Sequence, residues 1–190
     1  MAKGSGGTRY QGPVAGIDSA PSLSGDTTGV LSSVMTRYNS YGEGWEKTYL
    51  SESGGFVVTA IQRKEKGNQN KQEALKFEKE QRMCKKYASF GFQIEHLSEV
   101  TGISSSDTRI VRHPQGVIRI NGALADLKST GSANNIVSYA TKATTKQGAK
   151  YVLFEFTKHD PKIPSEIKKL IKKGIQGYYY FSDENTYYSF

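Results

Sequence analysis

The sequence predicts an α+β domain, a mostly antiparallel sheet with helices packed against it, and three observations carry that prediction. The alternating runs VIRI and ALADLK flank Asn121-Gly122. An Asn-Gly pair between such runs signals a tight hairpin, because both central residues of that turn take positive φ. KYVLFEF, residues 150–156, is a near-continuous apolar run and reads as a central strand. Two further segments repeat apolar residues at helical spacing: Ala74, Phe77, Cys84 and Ala88 in one, Ile136, Val137, Ala140 and Ala143 in the other.

Residues 1–42 are dense in Gly, Ser and Thr and read as a flexible segment ahead of a domain spanning 43–190. GWEKTYL and GGFVVTAIQRK, separated by Ser53-Gly54-Gly55, form the first expected hairpin. A helix capped by Asn68 or Asn70 runs to about Ala88 and stops at Gly91, and FQIEHL follows as a short strand. TGISSSDT, residues 101–108, reads as a loop, after which RIVRH and the Asn-Gly hairpin continue the sheet. The helix over 133–146 takes Ser132 or Asn134 as its cap. Pro164 opens a helix that buries Ile163, Ile167, Leu170 and Ile171 and turns Lys168, Lys169, Lys172 and Lys173 outward. Gly174 ends it, and GYYYF is the last expected strand.

A chain of 190 residues with net charge +8 is long enough to bury a core. Residues 68–190 carry 19 Lys and Arg against 12 Asp and Glu, so the positive excess sits in the expected domain. Such a balance favours a polyanion, with nucleic acid the commonest. One cysteine excludes an intramolecular disulfide, and the three histidines lack metal-site spacing, so neither a metal ligand nor a cofactor is assigned. G-x-S-x-G and the phosphate-binding G-x-x-x-x-G-K-[ST] are absent, which removes serine hydrolase and P-loop readings. With no secretory apolar core at the start and no long apolar run, the expected location is the cytoplasm, without a membrane.

The stretch INGALADLKS places Asp126 and Lys128 two residues apart at the end of a strand, so both project to one face while Ala123, Ala125 and Leu127 project to the other. The alanines suit close contact with a helix. Ser129, Thr130, Gly131 and Ser132 follow, supplying hydroxyls and backbone N–H groups ahead of a helix, a suitable seat for phosphate. His113, beside Arg112 on a turn, is the best acid/base candidate among the histidines.

From Gly55 to Phe181 the chain resembles a known family. GFQIEHLSEV, RHPQGVIRINGALADLKS, NNIVSYATKATTKQGAKY and VLFEF resemble the C-terminal tRNase domain of contact-dependent growth inhibition toxins, and related phage and mobile-element nucleases of the Barnase/EndoU/colicin/RelE superfamily. The resemblance implies a metal-independent endoribonuclease that cuts RNA, tRNA above all, by attack of the neighbouring 2′-hydroxyl. It implies Lys128 on the phosphate, His113 as acid or base, Ser129 or Thr130 on phosphate oxygens, and Asp126 orienting Lys128 or a ribose hydroxyl. Arg112 and Arg119 are implied RNA contacts, joined as nucleic-acid candidates by Lys168 and Lys172 on the lysine helix and by Tyr179 among three strand tyrosines that stack bases. A cognate immunity protein or a phage assembly is the implied partner, with delivery into a target cell or packaging in a virion. The family shows Pro-Asp where this chain has Pro114-Gln115, so an acid is missing there.

Two other readings compete. Asp126-x-Lys128 fits a metal-dependent DNA nuclease of the PD-(D/E)xK type, whose second carboxylate would then be Glu95 or Glu80. A noncatalytic nucleic-acid-binding or virion-associated protein with a nuclease-like fold also accounts for the charge.

Overall fold

The computed structural model describes residues 27–98, 106–115 and 118–190. Among these residues eight strands form one sheet in chain order: β1 (Trp45–Leu50), β2 (Phe56–Ala60), β3 (Gln93–His96), β4 (Thr108–Arg112), β5 (Ile118–Thr130), β6 (Tyr151–Phe156), β7 (Gln176–Phe181) and β8 (Tyr187–Ser189). Four of the seven neighbouring pairs are antiparallel, and β2/β3, β5/β6 and β6/β7 are parallel. Parallel neighbours need a crossover connection, and helices supply it. α2 (Ile61–Gly67) and α3 (Lys71–Ser89) link β2 to β3, α4 (Ile136–Thr145) links β5 to β6, and α5 (Ile163–Lys172) links β6 to β7. α1 (Thr27–Ser40) precedes the sheet. The fold is α+β, with a mostly antiparallel sheet.

Asn70 caps α3 by accepting the Glu73 N–H at 2.9 Å, and Gly91 leaves the helix end with φ of 98°. The helix packs Met83, Cys84, Tyr87 and Ala88 onto Val57, Ile94, Ile110, Ala123, Ala125 and Leu153. The two alanines of β5 admit the helix closely, as the alternation predicts. The opposite sheet face is covered in two patches. α4 and α5 bury Ile136, Ala140, Ala143, Ile163, Ile167 and Leu170 against Val152, Phe154 and Phe156. Val34 and Tyr38 of α1 cover Phe56 and Val58. The middle of β5 lies between these patches.

The chain departs from its sequence-based reading at several points. Asn121-Gly122 does not reverse the chain, because β5 runs through it. The β4/β5 ladder pairs Ile110 with Ala123 and Arg112 with Ile118, so its register shifts there. Gly122, at φ 66°, sits in the resulting bulge, where a Cβ would lie 3.0 Å from the Ile110 carbonyl oxygen. One bulge type takes a glycine at positive φ, as a tight turn does. The reversal falls after Arg112, where Pro114-Gln115 form a turn. Residues 27–40, assigned to the flexible segment, form α1, because Val34 finds a tertiary partner that composition does not reveal. Residues 1–26 and 99–105 lie outside the described residues. Ile61–Gly67 is helical, whereas the extended run was expected to continue through Lys64, and β8 was not foreseen. Ile171 is 46% exposed rather than buried.

At Gly55, which leads into β2, a Cβ would stand 1.9 Å from the Ala88 carbonyl oxygen at the end of α3. Gly55→Ala should cost about 1–3 kcal/mol or more in urea unfolding. Gly42→Ala, where a Cβ meets nothing within 4 Å, should stay within about 0.5 kcal/mol of the parent.

Candidate active site

β5 outruns β4. The ladder between them ends at the pair Thr108–Ala125, so residues 126–130 keep β6 on one side and leave the other side open. Into this opening α3 brings Lys76, Lys79 and Glu80, while α4 and its exit bring Tyr139, Lys142 and Gln147. With Asp107 and residues 126–129 they enclose a cleft of about 290 Å³.

One step beyond the last ladder pair, Asp107 and Asp126 stand opposite each other. Asp126 is 1% exposed and forms an ion pair with Lys128, whose ammonium also donates to Gln147 Oε1 at 3.1 Å. Asp107 Oδ1 accepts the Leu127 N–H at 2.9 Å and the Thr108 hydroxyl at 3.3 Å. Burial, then the charge of Asp126, pushes the Asp107 carboxyl well above the usual carboxylate range. Burial raises Asp126 too, although Lys128 and a hydrogen bond with Asp107 pull the other way. Two buried carboxyls directly opposite in a sheet cannot both ionise cheaply, so the raised Asp107 keeps its proton and shares it with Asp126.

Behind this pair stands Glu80. Its Oε2 accepts from Arg63 Nη2 at 2.8 Å and Nε at 3.1 Å, and from His96 Nε2 at 2.8 Å. The Gln81 amide donates to His96 Nδ1 at 2.6 Å, so Nδ1 is the acceptor and the proton sits on Nε2, aimed at Glu80. Burial pushes the Glu80 carboxyl up, but the His96 hydrogen bond and the Arg63 charge outweigh it and leave Glu80 below its ordinary value. Burial in turn holds the His96 ring low. Glu80 is thus kept ionised and fixed at the cleft wall. Glu95, the alternative second carboxylate, is bound instead by Arg109 at 2.6 Å and Tyr41 at 2.8 Å and does not line the cleft.

The other sequence candidates distribute unevenly. Ser129 lines the cleft and donates to Glu155 Oε2 at 2.6 Å. Thr130 closes its own turn, donating to the Ser132 carbonyl at 3.1 Å and accepting the Ser132 N–H at 3.0 Å. His113 follows the far end of β4, whereas Asp107 precedes its start, and six extended residues span roughly 20 Å. Its ring packs on Phe92 at 5.0 Å and Tyr178 at 5.1 Å, and Nδ1 accepts the Gln115 N–H at 3.2 Å. Arg112 shares that remote end. The Arg119 side chain lies outside the described residues. Lys168 and Lys172 are exposed on α5 and do not line the cleft. Tyr179 stacks on Tyr188 at 4.9 Å and joins the α4/α5 core.

Asp107 was missed because it falls at the end of a polar run. The available signal was an acid placed directly ahead of the alternating strand TRIV. Glu80 carried its own signal, an acid at helical spacing between Phe77 and Cys84 on the apolar face of α3.

No family model matches the chain, and no curated protein matches it. Among solved structures it is similar to the CdiA-CT/CdiI toxin and immunity complex from Burkholderia pseudomallei, at 15% identity and a TM-score of 0.47, over 65% of this chain and 89% of that chain.

A carboxyl whose folded pKa lies above its unfolded one contributes stability that is complete below the unfolded value and lost as pH rises through the folded value. Asp107 is such a group. Asp107→Asn keeps an acceptor for the Leu127 N–H and removes the charge. It should raise Tm at pH 7 by roughly 2–4 °C for each kcal/mol of burial and repulsion cost relieved, with the gain vanishing near pH 3 in thermal unfolding followed by circular dichroism.

Proposed function

We propose that the chain is a metal-dependent nuclease that hydrolyses phosphodiester bonds at Asp107, Asp126 and Lys128. The observation that carries this reading is the pair of buried carboxyls that face each other at the open end of the β4/β5 ladder, with a lysine ammonium two residues further along the same strand face. Magnesium is held by one or two carboxylates, with substrate phosphate and water completing its shell. Asp107 and Asp126 match that donor set, and a cation there would take the place of the proton they share. Among the described residues no group of three His, Cys, Asp or Glu side chains could hold a metal ion, so the proposed site has two protein carboxylates at most. Once bound, a divalent cation polarises phosphoryl oxygens and lowers the pKa of its water.

The chain's own groups do the rest. Lys128, at the cleft floor, neutralises charge that builds on the phosphate as water bonds to phosphorus and the bond to the leaving oxygen breaks. Glu80, ionised and fixed, accepts a hydrogen bond from a water in the cleft. Lys76, Lys79 and Lys142 line the cleft with positive charge, and Tyr139 offers a ring on which a base stacks. A cleft of about 290 Å³ is at the small end of ligand sites and favours an unpaired nucleotide over a duplex. RNA, tRNA in particular, is the substrate that the family resemblance adds to this proposal, with a cognate immunity protein as partner and a target-cell cytoplasm as the place of action. The metal-independent route through His113 and Lys128 has less support, because the length of β4 stands between those two residues.

Total tRNA and plasmid DNA incubated with magnesium or with EDTA test the reading on denaturing gels. Cleavage of tRNA should require magnesium and fall more than about 100-fold in Asp126→Asn and Lys128→Gln. Cleavage that persists in EDTA with 2′,3′-cyclic phosphate ends would sink it. Independently of activity, manganese should raise the Tm of the parent chain but not of the Asp107→Asn/Asp126→Asn double variant.

A further inference from the structure

We infer that the outward face of α3 is the track along which the nucleic-acid strand leaves the cleft, and that Arg82 is its fixed phosphate-binding residue. This rests on the nuclease reading of the cleft. Lys79, Arg82 and Lys86 are three and four residues apart and share one helix face. Lys79 lines the cleft. From it to Lys86 the helix rises roughly 10 Å, about three nucleotides at roughly 3.4 Å per phosphate along a helical strand.

Arg82 stands apart from an ordinary surface cation. Its side chain is 57% exposed, whereas that of its partner Glu155 is 4% exposed. Nε and Nη2 donate to the two Glu155 oxygens at 3.2 and 2.6 Å. Glu155 also accepts the hydroxyls of Ser129, at 2.6 Å, and Tyr180, at 3.1 Å. Ser129 is part of the cleft wall. A buried carboxylate therefore holds an exposed guanidinium beside the cleft. Two of the five N–H donors are engaged with Glu155, which leaves three on a half-exposed guanidinium whose fork matches a phosphate. Side-chain freedom is already lost to Glu155, so a phosphate that binds gives up less entropy than it would on a free side chain. Lys86 is tethered as well, donating to Asn185 Oδ1 at 2.8 Å and lying 5.4 Å from the Phe90 ring centre. A guanidinium that served Glu155 alone would not need a basic neighbour one turn to either side.

The test is fluorescence anisotropy of the full chain in EDTA, which stops magnesium-dependent cleavage. The probe is a fluorescein-labelled single-stranded oligoribonucleotide, titrated across a potassium chloride series. Arg82→Gln alone strands Glu155, so it is combined with Glu155→Gln, and thermal unfolding verifies the fold. The double variant should bind roughly tenfold more weakly, the size of one charge-assisted hydrogen bond, and the slope of log K against log salt should fall by about 0.7. Glu78→Gln, removing an acid one turn before Arg82, should tighten binding. If the double variant fails to fold, Lys86→Gln should show the same loss of slope. Unchanged affinity and slope in the folded variant, or no binding by the parent chain, overturns the inference. Magnesium-dependent cleavage with binding indifferent to Arg82 overturns it and leaves the nuclease reading standing. A lost slope in a chain that cleaves nothing removes the nuclease reading and keeps the track.

Discussion

Two carboxylates facing each other at the place where one strand stops and its neighbour continues are the constraint on which the rest of the structure depends. Had β4 begun three residues earlier, the ladder would have closed over Asp126 and Lys128, and no cleft would exist. Because it begins at Thr108, residues 126–130 of β5 present side chains and backbone to an opening that α3 and α4 flank. Asp107 closes the ladder's end by taking the Leu127 N–H, which is the bond a further strand residue would have made. One carboxylate oxygen thus does a backbone's work and places the other oxygen beside Asp126.

Holding like charges together out of water is costly, and the surroundings show how the cost is distributed. Lys128 offsets Asp126. Glu80, which adds a third negative charge nearby, is neutralised from behind by Arg63 and steered by His96, itself oriented by Gln81. Glu155 is neutralised by Arg82 from the solvent side. Glu80 and Glu155 each have a guanidinium of their own, whereas Asp107 has only neutral donors and the Asp107–Asp126 pair has one lysine between them. A site left short of positive charge within an otherwise balanced core is where a cation or a charged ligand gains most, and such sites trade stability for function.

The legible and illegible parts of the sequence divide by the range of the forces involved. Apolar periodicity marked α3, α4, α5 and β6, because one buried face imposes its period on the local sequence. The D-x-K spacing put Asp126 and Lys128 on one face, since strand alternation is local. Asn121-Gly122 was read as a turn, yet positive φ serves a bulge equally well, and only the competing turn at Pro114 decides between them. His113 and Lys128 are 15 residues apart and looked like neighbours across a short hairpin. With the reversal moved to the far end of β4, they stand at opposite ends of it.

The amino-acid sequence by itself determined the α+β class, the positive surface, the alanine face that admits a helix and the shared face of Asp126 and Lys128, all of which follow from composition or from residues within a turn or two of one another. Only the tertiary structure decided which acids join them. Asp107 reaches Asp126 across 19 positions through strand register, and Glu80 arrives on a helix whose docking depends on contacts spread over the whole sheet. Register and docking are long-range properties, set by the summed packing of residues that carry no local mark of what they bring together.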